Sequence, residues 1–432
     1  MGGGLTNWLD LLDRAGKWLQ KTLAKKGGRY WSIAVAVLVA SILIAPYVDD
    51  YLGLVRVRYW LFQHLNELTP RATKPRYVKL LLINDDDYWG SALEGRRPIK
   101  RDYLAKLIDK LAAADVALIA LDFDVRLPNA TAPASPGSYD QIPADYRTET
   151  GQLVRSIGRA ASDRFVVLPK SIWSDNRGSY SYLPDIFQVY GICNGLDSTG
   201  HWKNPGTREF PLSPGAQENI SCGYIALPFD MRLLPPQLDV GNDELDSFSL
   251  AIARAFNPDS VSLLSQGTSY GSYISPKALI RSETIFSAHD LLLGNGHVID
   301  ALRRRPVIVG AHWHMAQAAL GDLVDVHDTP IGPTSGAIIH ENFAEAMLDG
   351  RQYGYIPDWV LQGLTLIFGV VAMVVFAAFE DLWAQIAVFT CLSFALVLVQ
   401  WLLLQLLGTF FEAFVPLLGL WLHSVIERLW TR

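Results

Sequence analysis

Apolar residues gather at two places along this chain. One run lies near the start, Tyr30 to Val48, and a denser set fills the end, from Trp359 to Leu429. A helix needs ~20 apolar residues to cross a hydrocarbon core of ~30 Å, and Tyr30–Val48 comes up to that length. Trp359–Phe379 and Ile386–Leu407 contain no charged residue. The last run, Phe410 to Ile426, holds Glu412, Pro416 and His423, yet its Leu417–Leu422 stretch is strongly apolar. The pattern predicts membrane helices over 30–48, 358–379, 384–407 and 409–428, with an interfacial or re-entrant helix as the alternative for the last. The first run follows a long basic leader. Pro46-Tyr47-Val48-Asp49-Asp50 offers no small-residue cleavage pattern, so the run reads as a retained anchor.

Before the first run, Leu5, Trp8, Leu9, Leu12, Leu19 and Leu23 recur at helical spacing among Lys and Arg. Residues 1–29 read as a cytoplasmic amphipathic segment suited to a membrane interface, or to docking a partner. After the run, Tyr51–Leu68 reads as a helix stopped by Thr69-Pro70.

Residues 49–355 have a different rhythm. Tyr77–Ile83 is a short apolar run ended by Asn84-Asp85-Asp86-Asp87, as expected of a buried strand. In Arg101–Ala114, Leu104, Leu107, Ile108 and Leu111 share one helical face. Val116–Leu121 is a second strand, stopped by Asp122-Phe123-Asp124. Strand, helix and strand at this spacing make a parallel βαβ unit. The pattern continues with a helix over 152–161, a strand over 164–169, a helix over 247–256, a strand over 306–310 and a helix over 335–348. Residues 126–148 read as a Pro/Ser/Ala-rich loop, and 171–222 as an irregular insertion. The predicted fold is an α/β extracytoplasmic domain with a mainly parallel sheet flanked by helices, plus an α-helical transmembrane region.

Charge sets the orientation. Arg14, Lys17, Lys21, Lys25, Lys26 and Arg29 precede the first run, and Asp49-Asp50 follow it. Basic flanks stay in the cytoplasm, so both termini are expected there and the middle domain outside. The short acidic loop Glu380-Asp381 runs against this rule. The net charge is −6, and the only basic clusters are the N-terminal flank and Arg303-Arg304-Arg305, which gives nucleic-acid binding no support. Of three cysteines, Cys391 falls in a predicted span. Cys193 and Cys222 share one polar stretch of the exported domain, where a disulfide persists; the alternative is two buried thiols.

Asp85, Asp86, Asp87, Asp122 and Asp124 all follow predicted strands. Carboxyl strand ends of an open parallel sheet gather at one edge, where ligands bind. Carboxylates there suit a hard cation or acid/base work; the plainer role is capping helices and turns. His312-Trp313-His314 follow the 306–310 strand, and His312 and His314 face the same side of an extended segment. With His327 they are the candidate metal ligands, although no HExxH, G-x-S-x-G or phosphate-loop motif is present. No cofactor is expected.

Leu82-Ile83-Asn84-Asp85-Asp86-Asp87, Arg97-Pro98-Ile99-Lys100-Arg101 and Ala120-Leu121-Asp122-Phe123 resemble the opening of the CHASE2 sensory domain. The resemblance continues through Phe229–Arg232, Phe286–Leu292, Val307–Ala311, Gly321-Asp322, Thr329–Gly332 and Gly336–Asn342. It spans roughly residues 52–355. It implies an extracytoplasmic sensor of a bacterial receptor, one span before it and about three after. Met231 stands where the family tends to have Gly, and 171–222 looks longer than in the family. Arg101, Asp322 and His340 fall on the family's motifs and join Asp85, Asp87, Asp122 and Asp124 as the candidate ligand-binding set; for Asp322 and His340 a role in the fold would suffice. Family members usually continue into a signalling domain, whereas this sequence stops at Arg432. The expected function is a membrane-anchored sensor or scaffold subunit, not an enzyme. It would form a homo-oligomer in the lipid bilayer, recognise an unknown small-molecule or envelope ligand, and act through a separate effector protein. The alternatives are an extracytoplasmic metal-dependent hydrolase using the Asp/His cluster, and a structural or pore-forming membrane component in which Glu412 and His423 matter.

Overall fold

The computed structural model describes residues 26–67, 77–125, 144–174, 180–183, 185–193, 203–227, 233–240, 243–261, 269–272, 284–316, 320–329, 333–349, 352–354, 356–379 and 381–430, with Lys17 and Ala24. Most of the amphipathic segment expected over 1–29 and most of the loop 126–148 lie outside the described residues. In chain order the principal elements are helices α1 (Gly28–Leu52) and α2 (Leu54–Glu67), strand β1 (Lys79–Ile83), helix α3 (Arg101–Ala113), strand β2 (Leu118–Leu121), helix α4 (Ala144–Ala161), and strands β3 (Phe165–Lys170) and β4 (Ile220–Tyr224). Helix α5 (Phe248–Phe256), strand β5 (Ile285–Ser287), helices α6 (Ala288–Leu292) and α7 (Gly296–Leu302), strand β6 (Pro306–Ala311), and helices α8 (Gly336–Leu348), α9 (Asp358–Ala378), α10 (Leu382–Leu407) and α11 (Phe414–Trp430) follow. The chain divides into two units, 66–355 and 1–65 with 356–432.

In the unit 66–355, six strands form one sheet in the order β5-β1-β6-β2-β3-β4. Every neighbouring pair is parallel. Strands buried on both faces read as continuous apolar runs, which is why β1, β2 and β6 were visible in the sequence. Alternate residues point to opposite faces. Leu81, Ile83, Ile119, Leu121, Val307 and Val309 enter one core, with residues of α3, α4, α6 and α7. Leu80, Leu82, Leu118, Ala120 and Ile308 enter the other, with α5 and α8. The α/β reading therefore holds: a parallel sheet between two layers of helices.

Helix α8 is buried along its whole length. It lies so close to β6 that a Cβ at Gly310 would stand 2.3 Å from the Cβ of Ala337, so glycine is required there. The expected insertion 171–222 is more ordered than its composition suggests. It contributes strands Ile172–Ser174 and Tyr180–Tyr182 to a separate four-stranded sheet with Gln237–Val240 and Asp243–Asp246. It also includes the start of β4, the edge strand of the main sheet. Cys193 and Cys222 are joined by a disulfide, their Cα atoms 5.9 Å apart. Lys170, at the end of β3, is buried against Asp185 at 3.2 Å, and Asp185 caps the helical turn Ile186–Val189.

Among the described residues of the other unit, three helices are long and apolar enough to cross a membrane: Gly28–Asp49, Asp358–Ala378 and Leu382–Leu407. The segment expected as a fourth span, 409–428, is divided. Residues 409–413 are not helical, and α11 has 17 residues, a rise of about 26 Å. Small residues allow close helix approach: a Cβ at Gly369 would collide with Leu38, and one at Gly419 with Ser41. Some buried polar groups pair inside this unit. Gln385 Nε2 donates to Ser424 Oγ at 2.9 Å, and Gln400 Nε2 to the Phe411 carbonyl at 2.7 Å. Arg58 bridges Asp49 at 3.1 Å and Glu412 at 3.3 Å.

Candidate functional site

β1 and β6 are neighbours in the sheet, but the chain leaves them toward opposite faces. From β1 it leads to α3 in one core, and from β6 to α8 in the other. Loops that diverge this way leave a crevice outside the carboxyl ends of the strands, the usual ligand position in open parallel sheets. A cleft of about 720 Å³ lies there, lined by Asn84, Asp85, Asp86, Trp89, Gly90, His312, His314 and Leu323.

Local sequence explains each wall. Asn84 ends β1 and caps the one-turn helix Asp85–Tyr88, its side chain accepting from the amides of Asp86 and Asp87. This turn directs Asp85 toward the segment after β6. Asp85 accepts the His314 amide at 2.8 Å and lies 2.6 Å from His314 Nδ1. Partial burial works to raise the Asp85 carboxyl, but the His314 amide, ring and charge, with His312, hold it below its usual range. Trp89 donates its indole N–H to the His314 carbonyl at 3.1 Å. Its ring packs over Gly95, whose φ of +65° and missing Cβ permit the contact. Tyr88 stacks on Trp313 at 4.2 Å. Burial, then the neighbouring His314, pushes His312 down, so its ring is neutral at neutral pH.

The remaining predicted site residues divide into three groups. Asp87, Arg101 and Asp124 are engaged within the protein. Asp87 is buried and accepts from the Tyr103 hydroxyl at 2.6 Å and the His289 amide at 3.1 Å. Burial raises its carboxyl against these partners. Arg101 is buried between α3 and α4, 2.6 Å from Thr150 Oγ1 and over the Tyr146 ring. Asp124 accepts from Ser171 at 2.9 Å.

Asp122 and His340 meet on the other side of β6, with His340 Nε2 3.9 Å from Asp122 Oδ1. Burial and then Asp325 push Asp122 up to about 8, while burial drives His340 down to about 4. Both are uncharged at neutral pH, which suits a packed interior more than a binding surface. His340 is further held by Ser249, which donates to its carbonyl at 3.0 Å.

Asp322 is exposed on the strand Leu320–Leu323 and joins neither pair. His327 contacts Asp325 at 3.0 Å, apart from His312 and His314. Among the described residues, no group of three or more His, Cys, Asp or Glu side chains is placed to hold a metal ion. Sequence reasoning missed Trp89 and Leu323 as cleft walls. An aromatic residue directly after the strand-end acidic turn was the available signal for Trp89.

The architecture is an α/β domain with a crevice at its carboxyl edge, joined in sequence at both ends to helices able to cross a membrane. A family model described as CHASE2 domain matches residues 34–378, from within α1 to the end of α9. The chain belongs to the CHASE2 family, a family of extracytoplasmic sensory domains. No curated protein and no solved structure matches the chain.

Proposed function

We propose that this protein is a membrane-anchored sensor or scaffold subunit. Its extracytoplasmic domain recognises a ligand in the crevice between β1 and β6 and acts through a separate effector chain. The observation that carries the reading is the cleft itself. It lies where the chain diverges from two adjacent parallel strands, and residues from both loops line it. A ligand that favours one arrangement of these loops shifts its population. The helical unit exposes large apolar side chains, among them Ile367, Phe394 and Leu406, which lipid or partner helices would cover. In this reading the N- and C-termini are cytoplasmic and the chain assembles with copies of itself.

The test uses the full chain in lipid nanodiscs. A library of soluble envelope metabolites is screened for compounds that raise its melting temperature, and each hit is repeated on Trp89→Ala. A hit lost in the variant supports the crevice; hits that persist unchanged place recognition elsewhere. Mild-detergent capture that returns only this chain, with and without a hit, overturns the separate effector.

A further inference from the structure

Helix α2 carries apolar side chains on two opposite faces. One face is packed. Val55, Tyr59 and Phe62 share a helical stripe; Tyr59 and Phe62 are buried with Leu404 and Phe410, and Val55, Val397 and Trp401 join them. Val397, Trp401 and Leu404 lie on one flank of α10, over a rise of about 10 Å. The helix is therefore seated beside the last turns of α10, not on its tip. Arg58 ties it to Asp49 near the end of α1. The chain divides after Leu65, so α2 up to that residue belongs with the long apolar helices.

The opposite stripe holds Val57, Trp60 and His64. Val57 is 54% exposed and Trp60 57%. The exposed apolar surface runs on without a break into the end of α1, through Leu52, Tyr51 and Tyr47 to Ile44 and Leu43. His64 is engaged within the helix, its Nδ1 2.8 Å from the Trp60 carbonyl and its ring 4.3 Å from the Trp60 ring. Arg56 is exposed at the edge of the stripe.

We propose that α2 is an interfacial helix of the extracytoplasmic leaflet, its Val57–Trp60–His64 face covered by lipid where acyl chains meet headgroups. This rests on the reading of α1 and α10 as membrane spans. A helix seated on the flank of a span has lipid on its far side. At 14 residues it is too short to cross the bilayer itself. An indole with an apolar body and one N–H suits that depth, and an arginine at the edge reaches the headgroups while its stem covers apolar surface. The continuity with the outer end of α1 favours lipid over a protein partner, since the same layer covers both.

The test uses the full chain in lipid nanodiscs, with its free thiol removed by Cys391→Ser. Nitroxide labels are attached singly at Val57→Cys, at Trp60→Cys, at Phe394→Cys on exposed α10 surface, and at Leu293→Cys on exposed surface of the outer domain. Collisions with oxygen, which concentrates in lipid, are compared with collisions with a nickel chelate, which stays in water. The oxygen-to-chelate ratio at 57 and 60 is expected to match that at 394 and to stand well above that at 293. Val57→Cys keeps the test informative where Trp60→Cys disturbs His64. Chelate access at 57 and 60 like that at 293 overturns the proposal and leaves the face in water. Shielding from both probes also overturns it and gives the face to a second copy or to the outer domain. Chelate access at 394 as well removes the span reading of α10, and the proposal falls with it; lipid at 394 with water at 57 and 60 removes the proposal alone.

Discussion

Asp85 holds His314 at two points, accepting its backbone amide at 2.8 Å and facing its ring Nδ1 at 2.6 Å. The two residues are far apart in sequence, and this contact ties the loop after β1 to the loop after β6. A lone turn-capping aspartate would have no need of the second bond. The arrangement sets the shape of the cleft, because Trp89 is anchored to the same His314.

Asp85→Asn should therefore loosen the cleft and destabilise the domain by about 1.5–3 kcal/mol at pH 7, the range for a hydrogen bond to a charged group. The folded carboxyl lies below its usual range. Its contribution is present above the unfolded value of ~3.9 and disappears as pH falls through the lower folded value. Thermal melts of wild type and variant should separate above about pH 4 and converge below it. A constant gap at every pH would show that the charge on Asp85 contributes nothing.

The buried pair beside β6 predicts a different profile. Asp122 rises from 3.8 to about 8, and His340 falls from 6.5 to about 4. Between about pH 4 and 6.5 the folded state gains one proton at Asp122 and lacks one at His340, and the two slopes cancel. From 6.5 to 8 only Asp122 acts, and stability falls by up to about 1.4 kcal/mol per pH unit. Asp122→Asn should remove that fall and expose the rise due to His340 below pH 6.5. The variant's advantage in melting temperature should grow from pH 4 to pH 8. A variant that tracks wild type throughout would mean that Asp122 titrates normally.

The disulfide gives a third prediction. Cys193 and Cys222 are 29 residues apart, and closing a loop of that size restricts the unfolded chain by roughly 3–4 kcal/mol. The Cys193→Ala/Cys222→Ala double variant should unfold at lower denaturant and become insensitive to dithiothreitol, while wild type with reductant should approach it. A wild-type midpoint that reductant leaves unmoved would show that the bridge does not form in the protein.

These relationships were unequally visible in the sequence. β1, β2, β3 and β6 could be read because strands buried on both faces are short apolar runs with polar stops. β4 could not: Ile-Ser-Cys-Gly-Tyr, residues 220–224, has neither a continuous apolar run nor clean alternation. Its place is set by pairing with β3. The strand-end positions of Asp85 and Asp122 were legible too. Their partners were not, because they depend on β6 entering between β1 and β2, a choice made by packing on both faces. Asp322 shows the converse, since its motif position was readable but its strand carries it away from both pairs.

The helical unit supplies the last prediction. Arg58 and Asp49 are both buried, 3.1 Å apart, while Glu412 on the other side of Arg58 is more than a third exposed. Removing one member of a buried ion pair strands the other charge and costs about 3–5 kcal/mol, whereas replacing both with apolar groups is often neutral. Arg58→Met should accordingly unfold early in detergent and fall in membrane yield, with two carboxylates left facing each other. Arg58→Met combined with Asp49→Leu should recover most of the loss. Glu412→Gln should be mild, because Arg58 keeps Asp49 as its buried partner and Glu412 is more than a third exposed. Unfolding in a graded dodecyl sulfate series reads all three. If the double variant is no better than Arg58→Met, the Arg58–Asp49 pair is not the origin of the loss.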